Sequence, residues 1–155
     1  MSDARPRTGA KAGSPGQSSS SMPTLLDTGI LVGLFNRDDP WHGRINRWLA
    51  GFRGELHTVE AVLTEASFFL GAHQRARLAD IAAGPMFKVH APDAAGHRRM
   101  ATLMTKYADL DPDWADVSLV WLAEASGIDH IATVDQRDFG LYRIDGRRKF
   151  RLALI

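Results

Sequence analysis

The order in which apolar stretches recur is what most limits how this chain can fold. From Thr24 onward, short apolar runs of strand length alternate with longer segments of helical periodicity. Strand patterns cover 24–27, 56–59, 87–90, 130–134 and 150–154. Helical patterns cover 28–36, 41–52, 60–70, 73–83, 93 to about 107 and 112 to about 126. In the second of these, Trp41, Ile45, Trp48 and Leu49 share one face. Asp111 is expected to cap the last helix with Pro112 at its first position, and Gly127 to stop it. Strands alternating with helices call for a parallel sheet covered on both faces. The expected fold class is therefore α/β, a three-layer α/β/α sandwich around a central, mainly parallel sheet.

The chain has 155 residues, enough for one domain, and 45% of them are apolar, enough for a real core. Residues 1–22 are rich in Ser, Gly, Pro and Ala and read as a disordered extension or expression remnant. The folded domain is expected to span 23–155. The formal net charge is +1, and residues 1–22 alone contribute +2. The domain itself is therefore slightly acidic, and affinity for a polyanion has to come from local patches or a metal. There are no cysteines, which excludes a disulfide scaffold and thiolate zinc sites and suits the cytoplasm. The N-terminus lacks the apolar core of a signal peptide. No apolar run approaches the ~20 residues of a membrane helix, so no membrane partner is expected.

Four acidic residues stand in or beside apolar stretches: Asp27, Glu65, Asp116 and Asp135. An unpaired charge there is costly. Asp27 and Asp135 sit where strand patterns end, the place where parallel α/β sheets carry their ligand sites. Glu65 and Asp116 lie on helices, Glu65 on the face of Ala61, Val62, Phe68 and Phe69. No Lys or Arg lies within four positions of either, so a local helical ion pair explains neither. Acids gathered in one pocket repel one another and raise each other's pKa. A hard divalent cation such as Mg²⁺ or Mn²⁺ would relieve that repulsion and could generate hydroxide for phosphodiester hydrolysis.

Four segments carry a family resemblance: Leu25-Leu26-Asp27-Thr28-Gly29-Ile30-Leu31-Val32, Thr64-Glu65-Ala66, the run from Trp114 to Glu124, and the run from Ile131 to Phe139. In order and spacing they resemble PIN-domain ribonucleases, particularly the VapC-type toxins of toxin–antitoxin pairs. The resemblance covers about Thr24 to Ile155. Val117 stands where that family often has Ala. The resemblance implies Asp27, Glu65, Asp116 and Asp135 as the catalytic, metal-binding set for Mg²⁺ or Mn²⁺. It also implies an RNA substrate, an antitoxin partner and a homodimer. Thr133 matches a position that often supports such a site. Asp138 either joins the site or caps a short helix, and Arg137 follows the last acid within reach of a substrate phosphate.

Other signals carry less. Arg143, Arg147, Arg148, Lys149 and Arg151 could hold RNA phosphates, but read better as a solvated turn leading into a protected edge strand. The six histidines show no ligand spacing, and no GxSxG, Walker A or GxGxxG motif occurs. Trp41 and Trp48 read as core residues. The expected activity is a metal-dependent endoribonuclease, the toxin of a type II pair. The rival readings are a housekeeping PIN nuclease of RNA maturation and a non-catalytic protein- or RNA-binding module.

Overall fold

The computed structural model describes residues 21–153. The reading of residues 1–22 as an extension falls, up to residue 20, outside the described residues. Five strands form one sheet: β1 (Thr24–Leu26), β2 (Leu56–Val59), β3 (Lys88–His90), β4 (His130–Ala132) and β7 (Arg151–Ala153). Their order is β3-β2-β1-β4-β7 and every pairing is parallel. Two further pairs of residues, β5 (Arg143–Ile144) and β6 (Arg148–Lys149), make a small antiparallel ribbon. The helices are α1 (Thr28–Phe35), α2 (His42–Gly51), α3 (Glu60–Phe68), α4 (Ala72–Ala83), α5 (Ala94–Lys106), α6 (Trp114–Ser126) and α7 (Gln136–Leu141). They flank the sheet as the expected α/β/α sandwich. No helix among the described residues is long and apolar enough to cross a membrane.

The central strands β1, β2 and β4 are buried along their whole length, as the continuous apolar runs require. Leu25, Leu26, Ile131 and Ala132 meet Ile30, Leu31, Val62, Val117 and Leu119 of the covering helices in one core. Ile45 is buried, and Trp41, Trp48 and Leu49 pack against the core from the partly exposed face of α2. That is the packing role expected of them. The basic residues of 143–151 surround the β5–β6 ribbon and edge strand β7, with Arg148 paired to Asp145 and Arg151 to Asp129.

The start of α6 differs from expectation. Asp113 caps it, its Oδ1 accepting from the Asp116 backbone N–H at 2.7 Å, and Trp114 is the first helical residue. Asp111 instead takes the left-handed conformation (φ 46°) at the end of a 3-10 turn over Ala108–Leu110. An N-cap residue is extended, and Asp111 is held in the left-handed conformation by its place at the end of the 3-10 turn, so it is not the cap. Asp113 offers the same capping oxygen two residues later. Gly127 ends the helix in the left-handed conformation (φ 77°), as expected.

Strand order reverses at β1: β2 and β3 lie to one side, β4 and β7 to the other. The crevice beyond the carboxyl ends of β1 and β4 is therefore the topological switch point of the sheet.

Candidate active site

Asp27 leaves β1 at the switch point. Its backbone N–H continues the ladder to β4 by donating to the Ala132 carbonyl at 3.1 Å. Its side chain caps α1: Oδ1 accepts from the Thr28 N–H at 2.7 Å. Oδ2 accepts from the Thr133 hydroxyl, also at 2.7 Å. Thr133 in turn accepts the Asp135 N–H at 2.9 Å, so one hydroxyl ties the first acid to the loop that carries the last. Thr28 does the same on the other side, its hydroxyl donating to Glu65 Oε2 at 2.7 Å. Asp116, three residues into α6, accepts from the Tyr142 hydroxyl at 3.1 Å. Edge-on packing of Phe139 and Tyr107 against the Tyr142 ring holds that hydroxyl in place.

The four sequence-derived acids line a single cavity of ≈ 340 Å³. Its other walls are Thr28, Gly29, Val32, Asp39, Phe69, Asp111, Asp113, Val134 and Asp138. Eight acidic residues thus line one space that no lysine or arginine lines. Of the other four, Asp39, Asp111 and Asp113 lie on loops or helix caps and Asp138 lies in the first turn of α7. Asp138 does not cap α7: Asp135 does, with Oδ1 accepting from the Asp138 N–H at 3.1 Å. Arg137 is exposed on α7 and does not line the cavity, though its charge opposes the upward shift of Asp138. Glu65 is only half-buried, and its neighbours Phe68 and Phe69 are 80% and 65% exposed, so the helix face that begins in the core at Val62 turns to solvent at its end. Tyr142 and Asp113 were not singled out in the sequence. The Asp-x-x-Asp spacing of 113 and 116 is a signal for the second, because it is a capping arrangement. Nothing local marks Tyr142.

The electrostatics follow from the geometry. Burial lifts the Asp27 carboxyl to about 6, against the hydrogen bonds from Thr133 and Thr28, with Asp113 and Glu65 adding to the rise. Asp116 is lifted further, to about 8, by burial first and then by the charges of Asp27 and Asp113; the Tyr142 hydrogen bond partly offsets this. Burial and Asp135 also raise Asp138. Tyr142, buried against Asp116, is pushed up in turn. A site that forces a carboxylic acid to keep its proton near neutrality lacks positive charge.

Whether a cation suits the site is decided by its donors. All are oxygens, and no histidine lines the cavity, which is the donor set of a hard divalent cation. Among the described residues no three carboxylate or imidazole groups are gathered closely enough to hold a metal ion as they stand. A cation held here would need side-chain rotation inside the cavity. Asp116 and Asp135, with fewer hydrogen bonds than Asp27, are the freer groups.

A family model described as the PIN domain matches residues 24–146. The fold is similar to that of VapC20 from Mycobacterium tuberculosis, a toxin that cleaves the sarcin–ricin loop. The TM-score is 0.70, with 18% identity over 77% of this chain and 96% of that one. It is also similar to VapBC2 from Rickettsia felis, solved bound to a DNA fragment from its promoter. Here the TM-score is 0.59, with 16% identity over 86% of this chain and 99% of that one. No curated protein sequence matches. At these identities the likeness is one of fold.

Proposed function

The chain belongs to the PIN-domain family, and from that premise we propose that it is a divalent-metal-dependent endoribonuclease, the toxin of a type II toxin–antitoxin pair. The observation that carries the reading is the cavity at the β1/β4 switch point, with eight acidic residues and no cation of the protein's own. Without a counter-charge such a cavity repels phosphate. With one, it becomes a phosphodiester site.

Asp27, Glu65, Asp116 and Asp135 are the residues that would hold Mg²⁺ or Mn²⁺. When bound, the cation supplies a water acidic enough to attack near neutral pH and charge stabilisation for the leaving oxygen. The chain's own contribution is positioning. Thr133 and Thr28 fix the rotamers of Asp27 and Glu65 through short hydrogen bonds. Tyr142 holds one oxygen of Asp116 and leaves the other free to rotate into the cavity. The raised pKa of Asp116, about 8, means that it would hold a proton near neutrality unless a counter-charge relieved it. Residue 133 therefore acts on the site through Asp27, and Arg137 is available from α7 to a phosphate outside the cavity.

The partners of this reading are single-stranded RNA, a small antitoxin that covers the cavity, and a second copy of the chain, all in the cytoplasm. The test is cleavage of single-stranded RNA by the purified chain in Mg²⁺ or Mn²⁺. Asp27→Asn and Asp116→Asn should each lower the rate by at least about a hundredfold with the circular dichroism spectrum unchanged. Undiminished cleavage by both variants would defeat the assignment. Growth arrest on expression, relieved by co-expression of the neighbouring small gene product, tests the toxin part.

A further inference from the structure

Beside the acidic cavity lies a larger groove of ≈ 560 Å³, well within the range of sites that take small planar ligands (~300–1,000 Å³). Its character is different. Phe68, Trp114, Pro92 and His97 line it, and Glu65 and Asp113 are common to both spaces. Those two acids are the partition between them. The same two helices build both sides. On α3, Phe68 lines the groove, while Glu65, one turn earlier, lines both spaces. On α6, Trp114 lines the groove and Asp116 the acidic cavity, with Asp113, the cap of that helix, between them.

The groove's aromatic rings are unusually available. Phe68 is 80% exposed and Trp114 57%, a large apolar surface to leave in water without a partner. Trp114 is steadied by the tilted ring of His97, with centroids 6.2 Å apart. The His97 Nδ1 bonds the Asp93 carbonyl at 2.9 Å. A carbonyl only accepts, so Nδ1 is the donor in that bond, which fixes the ring beside Trp114. A flat, uncharged ligand fits these walls, and a phosphate does not, because the partition is acidic.

We propose that this groove is a base pocket: it takes an unpaired nucleobase of the RNA, next to the phosphodiester that the acidic cavity engages. The proposal rests on the nuclease reading above and deepens it by assigning Phe68 and Trp114 as the residues that position the strand. Because both spaces are built on the first turn of α6 and the last turns of α3, a stacked base fixes where the neighbouring phosphate lies. Stacking on aromatic rings tolerates any base sequence but demands that a base be present and unpaired.

The experiment uses the full-length Asp27→Asn chain, which should not cleave, and two probes in Mn²⁺: a short single-stranded RNA of mixed sequence, and the same sugar–phosphate chain without bases. The RNA with bases is expected to bind at least about tenfold more tightly, and adding Phe68→Ala or Trp114→Ala should remove most of that ratio. Trp114→Phe should restore it. An unchanged ratio in both alanine variants overturns the proposal, while RNA cleavage by the parent chain then still stands by itself. A change of oligomeric state in the RNA-free alanine variants also overturns it, since a second copy would then cover the groove. If no form binds or cleaves RNA, the nuclease reading and the base pocket fall together.

Discussion

Asp116 is a carboxyl whose surroundings disfavour its charge in four ways, through burial, Asp27, Asp113 and Asp135. Its ordinary value is 3.8 and in the fold it rises to about 8; Asp27 moves the same way, to about 6. A folded-state pKa above the unfolded one means that the native state binds more protons across the interval. The associated stability is fully present below about pH 4 and is lost as pH rises through about 8. The metal-free protein should therefore become less stable between pH 5 and pH 8. Asp116→Asn removes the ionisation and keeps an oxygen for the Tyr142 hydroxyl. In thermal unfolding with chelator present, that variant should show a flatter pH profile. At pH 8 it should exceed the parent by roughly 2 kcal/mol. A variant no more stable than the parent at pH 8 would show that Asp116 ionises without strain. Sequence reasoning reached part of this. The apolar settings of the acids point to burial and their expected gathering to repulsion, but only packing shows that burial is the larger cause.

Two elements meet at Gly29 in a way that sets the width of the site. A Cβ on Gly29 would overlap Val134 Cγ2, so α1 can start this close to the end of β4 only because residue 29 has no side chain. That approach brings Asp27 within reach of the Thr133 hydroxyl. Gly→Ala within a helix ordinarily gains roughly 0.5–1 kcal/mol. Forcing a methyl into a packed contact costs about 1–3 kcal/mol, so the clash should win and Gly29→Ala should destabilise. In a Val134→Ala background the sign should reverse. A denaturant-based double-mutant cycle would show this as a coupling of more than about 0.5 kcal/mol; additive effects would mean that the two elements do not constrain each other. Gly29 and Val134 both stood inside motifs visible in the sequence, yet nothing in one dimension shows that they touch. Short elements were illegible for another reason. Helix α7 has 6 residues and the β5–β6 ribbon pairs residues two by two, too few for any period to register. Phe68 and Phe69 misled in the opposite direction: their spacing matches a buried helix face, but α3 ends there and both rings face solvent.

Alternation of strands and helices made the layered architecture readable, and the acids at two strand ends made one rim of the sheet readable. Strand order was not, because it depends on which edge each crossover chooses. That order matters, since only with β4 beside β1 do Asp27 and Asp135 share a crevice. Loops and caps then deliver Asp39, Asp111 and Asp113, and the short helix α7 delivers Asp138, to the same space, acids that in sequence look like ordinary caps and turns. A molecule assembled this way carries an electrostatic penalty that the proposed cation would remove, so metal and proton should compete for it. At a hundredfold excess over the dissociation constant, a ligand bound only by the native state stabilises by about 2.7 kcal/mol, or roughly 5–10 °C for a chain of this size. Mn²⁺ should therefore raise the unfolding temperature, and more at pH 8 than at pH 6, where Asp116 still holds its proton against the metal. Calorimetry in buffers of different ionisation enthalpy should register proton release on binding near pH 7. In the Asp27→Asn, Asp116→Asn double variant both effects should vanish. A thermal shift of equal size in that variant, or one indifferent to pH, would place the cation elsewhere on the molecule.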